Sequence, residues 1–117
     1  MAHTDFSTGL QNASEIDITV TGRSSGRTHT YPVWFALDAN TLYLIPVRGS
    51  DTEWYKNLRK RPSLRLTARG KVLTASPRFL TDRPQLDQVL EKFRAKYGRN
   101  VKSYYPKYDV AVEVPLE

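Results

Sequence analysis

The sequence predicts a mainly β fold with two helices, in which six antiparallel strands form a small barrel. Short hydrophobic runs rich in Val, Ile, Tyr, Phe and Trp recur between turn residues, which is typical of strands. Two of these runs, residues 29–37 and 41–47, are apolar on both faces, as expected in the wall of a barrel. Helical spacing of apolar residues occurs in two stretches, residues 50–61 and 82–97.

A chain of 117 residues corresponds to one domain, which we expect over residues 15–117 after a flexible N-terminal lead-in over residues 1–14. The sequence has no cysteine, which excludes disulfides and thiolate chemistry, and its two histidines are too few for a histidine-built metal site. No run approaches the ~18 consecutive apolar residues of a membrane span, and the N-terminus lacks a signal-peptide pattern. A soluble cytoplasmic protein is therefore expected.

The first predicted strand, residues 15–21, alternates polar and apolar residues and ends in a turn rich in glycine and serine. Ile16, Ile18 and Val20 share one face of this strand. In the turn, Gly22–Gly26, two glycines and two serines can leave several N–H groups free to face one cluster of ligand oxygens. An ordinary hairpin connection accounts for the turn equally well.

Two hairpin strands follow. His29 to Leu37 is predicted as the second strand, and Pro32 within it marks an edge, a bulge or a rim because proline cannot donate to a sheet ladder. Asp38–Asn40 forms the turn, and Thr41–Val47 returns as the third strand.

The first predicted helix follows directly on Arg48. Ser50, Asp51 or Thr52 can cap it, and Glu53 stands three residues after Ser50, as a capping box requires. The helix ends before residue 62, which is proline. Because its positive N-terminal pole and the arginine can act on the same anion, this step predicts a phosphate or polyanion site.

The rest of the chain predicts three more strands and the second helix. Residues 63–69 and 72–80 read as antiparallel strands joined by a tight turn, and residues 108–114 as the last strand. In the helix over residues 82–97, four residues at helical spacing face the barrel, namely Leu86, Val89, Leu90 and Phe93.

The net charge of +6 is unevenly distributed. Eight Lys and Arg residues and no acid lie between Trp54 and Thr81. Such a field favours an anionic partner, which could be nucleic acid, a phosphorylated cofactor or an acidic metabolite. A solvated basic surface is the alternative.

Several motifs together resemble the deazaflavin-dependent nitroreductase family over roughly residues 16–70. The motifs stand here as Thr21–Gly26, Pro32–Trp34, Arg48–Gly49, Trp54–Leu58 and Pro62–Leu66. The resemblance implies the split β-barrel fold that this family shares with flavin-binding pyridoxine-phosphate oxidases. It also implies binding of reduced coenzyme F420 and hydride transfer to a small organic acceptor: a quinone, a nitroaromatic or an enone.

The same resemblance assigns the cofactor-binding residues by position. It places Arg23 and Ser24 near the anionic tail, and Arg48 and Gly49 at the phosphate. It places His29, Tyr31 and Pro32 along the cofactor. Trp54 and Asn57 lie on the helix that the resemblance places over the ring. His29 stands where many relatives have arginine, and the segment between Gly49 and Trp54 is shorter than in the nitroreductases. The strands also resemble a sister branch that uses FMN, which is the alternative cofactor.

The chemistry of such an enzyme resides in the cofactor, so the protein needs few acid–base groups. Tyr104 and Tyr105 are predicted to line the acceptor pocket, where a hydroxyl can polarise a carbonyl or nitro oxygen. Packing in the core or on the surface is the alternative role of these tyrosines. A homodimer is expected by analogy with split barrels. Two other functions stay open: an FMN-binding carrier without turnover, and a basic β-barrel that binds single-stranded nucleic acid.

Overall fold

The computed structural model describes residue 10 and residues 13–68 and 70–116. The described residues form eight strands, two α-helices and two short 3₁₀ turns, at Gly49–Asp51 and Arg99–Tyr104. In chain order the strands and helices are β1 (Ile16–Thr21), β2 (Thr28–Val33), β3 (Ala36–Asp38), β4 (Thr41–Leu44), α1 (Glu53–Lys60), β5 (Leu64–Ala68), β6 (Lys71–Ala75), β7 (Arg78–Leu80), α2 (Arg83–Tyr97) and β8 (Ala111–Pro115).

The strands form two four-stranded antiparallel sheets rather than one six-stranded barrel. The first sheet has the order β2-β1-β5-β6 and the second β3-β4-β8-β7. The mainly β class is confirmed for the described residues, whereas the six strands and the closed barrel are not. Two of the predicted strands each break in the middle, at residues 34–35 and 76–77, and their halves belong to different sheets. Strands that bend from one sheet into another are a common way to build the corners of a sandwich.

The predicted burial of residues 29–37 on both faces is also wrong for the first half of that run. β2 is an edge strand, and Thr28, His29 and Thr30 are exposed. Pro32 lies on this edge strand, where the missing N–H costs no ladder bond on the open side. The apolar pattern misled the prediction because part of it lines a groove instead of the core.

The core has two parts, one between the sheets and one beneath α2. Ile16, Ile18 and Val20 of β1 face the first part, as predicted, and Leu58 of α1 closes it. The apolar face of α2 packs on the second sheet; all four of its predicted residues are buried, namely Leu86, Val89, Leu90 and Phe93. The two layers of packing hold both faces of the second sheet rigid, and the groove described below lies at its margin.

Helix α1 begins without the predicted capping box. Its N-cap residue is Thr52, and Thr52 Oγ1 accepts a hydrogen bond of 2.8 Å from the Arg48 N–H instead of bonding within the helix. The Ser50 hydroxyl donates to Asp109 Oδ2 at 2.6 Å. A carboxylate distant in sequence therefore outcompetes the local cap. The helix ends at Lys60, before Pro62, as predicted.

Most of the predicted lead-in lies outside the described residues, namely residues 1–9, 11 and 12, and so does residue 69 at the end of a predicted strand. Leu10, within the lead-in, is buried in the core between the sheets. No helix among the described residues combines the length and the apolar character that crossing a bilayer requires.

The crossing between β2 and β3 is fixed by one tyrosine of α2. The Tyr97 hydroxyl accepts a hydrogen bond from the Phe35 N–H at 3.1 Å and donates to the Ser14 carbonyl at 2.7 Å. The Tyr97 ring stacks on Trp34 with centroids 4.3 Å apart. One side chain therefore holds residues from three separate stretches of the chain.

Replacing Tyr97 with phenylalanine is expected to lower the free energy of unfolding by about 1–3 kcal/mol, because the partly buried Phe35 N–H loses its acceptor while the ring stacking remains. Urea denaturation measures this change. The matched control is Tyr104→Phe, since no hydrogen bond joins the Tyr104 hydroxyl to a described residue, and we expect its stability to stay within about 0.5 kcal/mol of wild type. Equal stability of the two variants would contradict the role of the Tyr97 hydroxyl.

Candidate functional site

Three adjoining cavities follow strand β2 across the surface. We call the first the turn cavity; its volume is about 260 Å³ and it is lined by Gly22, Arg23, Ser24, Ser25, His29, Tyr31, Glu53 and Asn57. The second, the arginine cavity, has about 350 Å³ and is lined by Tyr31, Pro32, Val33, Val47, Arg48, Asp51, Thr52, Glu53 and Trp54. The third, the aromatic cavity, has about 300 Å³ and is lined by Glu15, Pro32, Val33, Trp34, Ile45, Val47, Tyr104 and Tyr105.

The three cavities form one groove because neighbouring cavities share walls. Tyr31 and Glu53 line both the turn cavity and the arginine cavity. Pro32, Val33 and Val47 line both the arginine cavity and the aromatic cavity. Ten of the eleven predicted site residues line this groove. A larger cavity of about 500 Å³, at residues 73–78 and 115–116, contains none of them.

The turn at one end of the groove is held by a buried asparagine. Asn57 is 6% exposed, and its Oδ1 accepts hydrogen bonds from the Arg23 N–H at 3.1 Å and from Arg23 Nη1 at 2.7 Å. Arg23 Nη2 also pairs with Glu53 Oε2 at 3.1 Å. The structure thus places the predicted site residues Arg23 and Asn57 next to each other, and hydrogen bonds join them. Ser24 and His29 are exposed beside them in the turn cavity.

Gly22 allows this turn to close tightly. A Cβ at Gly22 would lie 2.8 Å from Ser25 Oγ and 3.0 Å from His29 Nε2. The hydroxyl and the imidazole therefore approach the backbone more closely than any side chain at residue 22 permits. This close approach places both polar groups at the same end of the groove.

Among the described residues that line the groove, Arg48 carries a positive charge that no ion pair engages. The acids that line the arginine cavity with it are already paired: Asp51 with Lys107 Nζ at 2.8 Å, and Glu53 with Arg23. The hydrogen bond from Lys107 lowers the pKa of Asp51. Arg48 itself is exposed, and its guanidinium forms no ion pair with a residue that the structure describes. Its charge is therefore available to a ligand.

Gly49 lies outside the groove, which argues against the predicted phosphate contact. Its φ is +56°, its N–H donates to the Pro46 carbonyl at 3.0 Å, and a Cβ here would lie 2.1 Å from Asp109 Oδ1. Asp109 Oδ1 accepts the Ser50 N–H at 2.9 Å. Burial alone would raise the pKa of Asp109, but the hydrogen bonds from Ser50 outweigh burial and lower it. The anion beside Gly49 is thus a carboxylate of the protein itself.

The other end of the groove is built from aromatic rings. The Trp34 ring centroid lies 4.7 Å from that of Tyr104 and 6.5 Å from that of Tyr105. Tyr104 is 58% exposed and Tyr105 is 4% exposed. Burial raises the pKa of Tyr105, so its hydroxyl stays protonated at neutral pH. That hydroxyl forms no hydrogen bond with a described residue, although the ring is buried.

Sequence reasoning missed several residues of the groove, among them Glu15 and Val47. Glu15 was read only as the first polar residue of the first predicted strand, and Val47 only as the end of a strand. Val47 is 50% exposed, which makes it one of three exposed large apolar side chains among the described residues. Neither residue carries a local signal of site membership, because the wall that they share forms only when the two sheets meet.

Comparison with known proteins places the chain in a family. A family model described as "Uncharacterized protein conserved in bacteria (DUF2255)" matches residues 8–112. The chain belongs to this family. The match spans both sheets and both helices, and it includes every predicted site residue.

The fold of this DUF2255 chain is similar to that of several solved structures. An F420-H2 dependent reductase (FDR-A) is 18% identical, with a TM-score of 0.68 and coverage of 86% of this chain and 93% of that chain. A structure described as a domain-swapped dimer is 20% identical, with a TM-score of 0.71 and coverage of 90% and 82%. A putative pyridoxamine 5'-phosphate oxidase from Listeria innocua is 14% identical, with a TM-score of 0.70 and coverage of 97% and 92%.

These similarities confirm the resemblance drawn from the sequence at the level of the fold. The resemblance implied the split β-barrel, and these solved structures share the fold of this chain at TM-scores of 0.68 to 0.71. The two four-stranded sheets of the DUF2255 chain agree with that split-barrel-like architecture, although no closed barrel is formed among the described residues. At these identities the comparison supports the fold alone.

Proposed function

We propose that the protein is an oxidoreductase that binds reduced coenzyme F420 in the groove along β2 and reduces a small organic acceptor. The observation that carries the proposal is the unpaired guanidinium of Arg48 in the middle of a continuous groove that ends in aromatic rings. The bound cofactor would supply the hydride, and the acceptor class is a quinone, a nitroaromatic or an enone. A relative with this fold is an F420-H2 dependent reductase, which supports the proposal.

The residues present fit an anionic cofactor with a flat ring. Arg48 would bind its phosphate, because a guanidinium forms strong paired hydrogen bonds with phosphate oxygens. Ser24 and His29 would contact its anionic tail at the turn cavity. Pro32, Val33 and Val47 form an apolar wall shared by two cavities, and such a wall suits a planar ring and keeps water away. Arg23 would act mainly by holding the turn, since Asn57 and Glu53 already bind it.

The tyrosines would act at the acceptor. The buried Tyr105 hydroxyl lacks a partner among the described residues, so it can donate to an oxygen of a bound acceptor. Tyr104 is exposed and lies against Trp34, where it can cover the acceptor ring. Trp54 is 4% exposed and would support the floor of the arginine cavity.

Binding of FMN is the second candidate, and a relative described as a putative pyridoxamine 5'-phosphate oxidase favours it. Both cofactors carry a phosphate and a flat tricyclic ring, so Arg48 suits either. We also propose that the chain forms a homodimer, which a relative described as a domain-swapped dimer supports.

Replacing Arg48 with alanine is expected to weaken binding of coenzyme F420 by about 1.5–3 kcal/mol, or roughly ten- to a hundredfold, because one charge-assisted contact with the phosphate is lost. Fluorescence titration of the purified protein with coenzyme F420 and, separately, with FMN measures the affinities. The matched control is Arg65→Ala, because Arg65 is exposed on β5 and does not line the groove.

Two results would count against the proposal. Tight binding of FMN without binding of coenzyme F420 would mean that the cofactor is FMN and not the deazaflavin. Equal affinities of wild type and the Arg48→Ala variant for coenzyme F420 would contradict binding of the phosphate by Arg48 in the arginine cavity.

A further inference from the structure

The aromatic cavity has a charge opposite to that of the rest of the protein. Among the residues that the structure describes, Glu15 is the one charged residue that lines it. The chain as a whole carries a net charge of +6, and Arg48 lies in the neighbouring cavity. The groove therefore changes from positive to negative along its length.

The Glu15 carboxylate is free to act on a ligand. It is exposed, and no residue that the structure describes forms an ion pair with it. The backbone just before it is held in place, because the Ser14 carbonyl accepts a hydrogen bond from the Tyr97 hydroxyl at 2.7 Å. Burial raises the pKa of Tyr97, and the negative charge of Glu15 adds to the rise, which is consistent with a carboxylate held beside the aromatic rings.

Aromatic faces complete the cavity. Trp34 and Tyr104 have centroids 4.7 Å apart with an angle of 58° between their planes, so they form two walls of a corner. The faces of tryptophan and tyrosine attract cations, and tryptophan does so most strongly. Lys96, whose Nζ lies 5.2 Å from the centroid of the Tyr97 ring beside Trp34, is already engaged: Lys96 Nζ donates to the Phe35 carbonyl at 3.0 Å and lies 3.3 Å from the centroid of the Phe35 ring.

We propose that the aromatic cavity binds a flat aromatic molecule that carries a positive charge, with Trp34 and Tyr104 against its ring and Glu15 as its counter-ion. An anionic ligand would be repelled by the carboxylate, and a neutral one would leave the carboxylate unused. Binding of such a cation to the aromatic cavity does not require a bound cofactor. The further step, that a quinone, nitroaromatic or enone acceptor bound here carries a positive charge, rests on the proposed function.

The test uses three ligands of similar shape and different charge on the full chain without added cofactor. Isothermal titration calorimetry compares N-methylquinolinium, quinoline and quinoline-6-carboxylate at neutral pH. We expect the cation to bind about tenfold more tightly than neutral quinoline, and the anion to bind least. Because the net charge of +6 repels cations, non-specific attraction cannot produce this order. The NMR signal of the Trp34 indole N–H should shift on titration with the cation.

Two variants test whether the Glu15 carboxylate causes the preference for the cation. Glu15→Gln should abolish most of the preference for the cation and leave quinoline binding unchanged. Asp17→Asn is the matched control: it removes the same charge two residues further along the chain, at an exposed residue of β1 that does not line the cavity, so the preference should persist. Equal affinities for the three ligands, or equal effects of the two variants, would overturn the proposal. Because this test uses no cofactor, its result does not depend on whether the chain binds coenzyme F420. Conversely, failure of this test would leave the proposal of F420 binding unchanged.

Discussion

Replacing Gly49 with alanine is expected to destabilise the protein by at least about 3 kcal/mol. A left-handed φ of +56° costs a residue with a Cβ about 1–2 kcal/mol, and the new methyl group would also lie 2.1 Å from Asp109 Oδ1 and 2.7 Å from the Lys107 carbonyl oxygen. The Lys107–Asp109 segment must then move away, and Ser50 loses its carboxylate partner. The measurement is urea or thermal denaturation followed by circular dichroism.

The control for this change is Gly70→Ala. Gly70 also has a positive φ, +78°, but a Cβ there would meet nothing within 4 Å. The Gly70→Ala variant should therefore lose only the stability that the left-handed backbone conformation costs, about 1–2 kcal/mol. The difference between the two variants isolates the steric contact with Asp109 and Lys107. If both variants lost the same stability, the close packing of this segment on Gly49 would be refuted.

Replacing Asn57 with leucine is expected to cost about 2–4 kcal/mol of stability and to weaken cofactor binding at least tenfold. Leucine keeps the volume of the side chain but removes the acceptor of two hydrogen bonds, one of them from the charged guanidinium of Arg23. The turn of residues 22–26 would then lose its anchor on α1, and the turn cavity its shape. Denaturation and titration with coenzyme F420 measure the two effects separately.

Asn57→Asp serves as the matched variant, because aspartate keeps an acceptor oxygen within reach of Arg23. We expect it to retain most of the stability and of the binding. A loss as large as that of the leucine variant would mean that the Asn57 amide group itself, rather than its bond to Arg23, has the essential role.

Local sequence patterns predicted the elements of this fold well where the neighbours of a residue in the chain decide its structure. The alternation in residues 16–20 and the helical spacing of Leu86, Val89, Leu90 and Phe93 gave the correct buried faces. The strand breaks at residues 34–35 and 76–77 were missed, because an apolar run looks the same whether it stays in one sheet or passes into another. The capping box at Ser50 failed because Asp109, distant in sequence, binds the same hydroxyl.

The sequence by itself determined the mainly β class, helices α1 and α2, the resemblance to the split-barrel oxidoreductases and half of the residues that line the groove. Only the tertiary structure decided which of those residues are free to bind. Arg23 is bound by Asn57 and Glu53, and Gly49 is covered by Asp109. Arg48 and Glu15 line adjoining cavities and form no ion pair with a residue that the structure describes. The physical reason is that the type of a side chain follows from the sequence, whereas its partners depend on which distant segments the two sheets bring within hydrogen-bond distance.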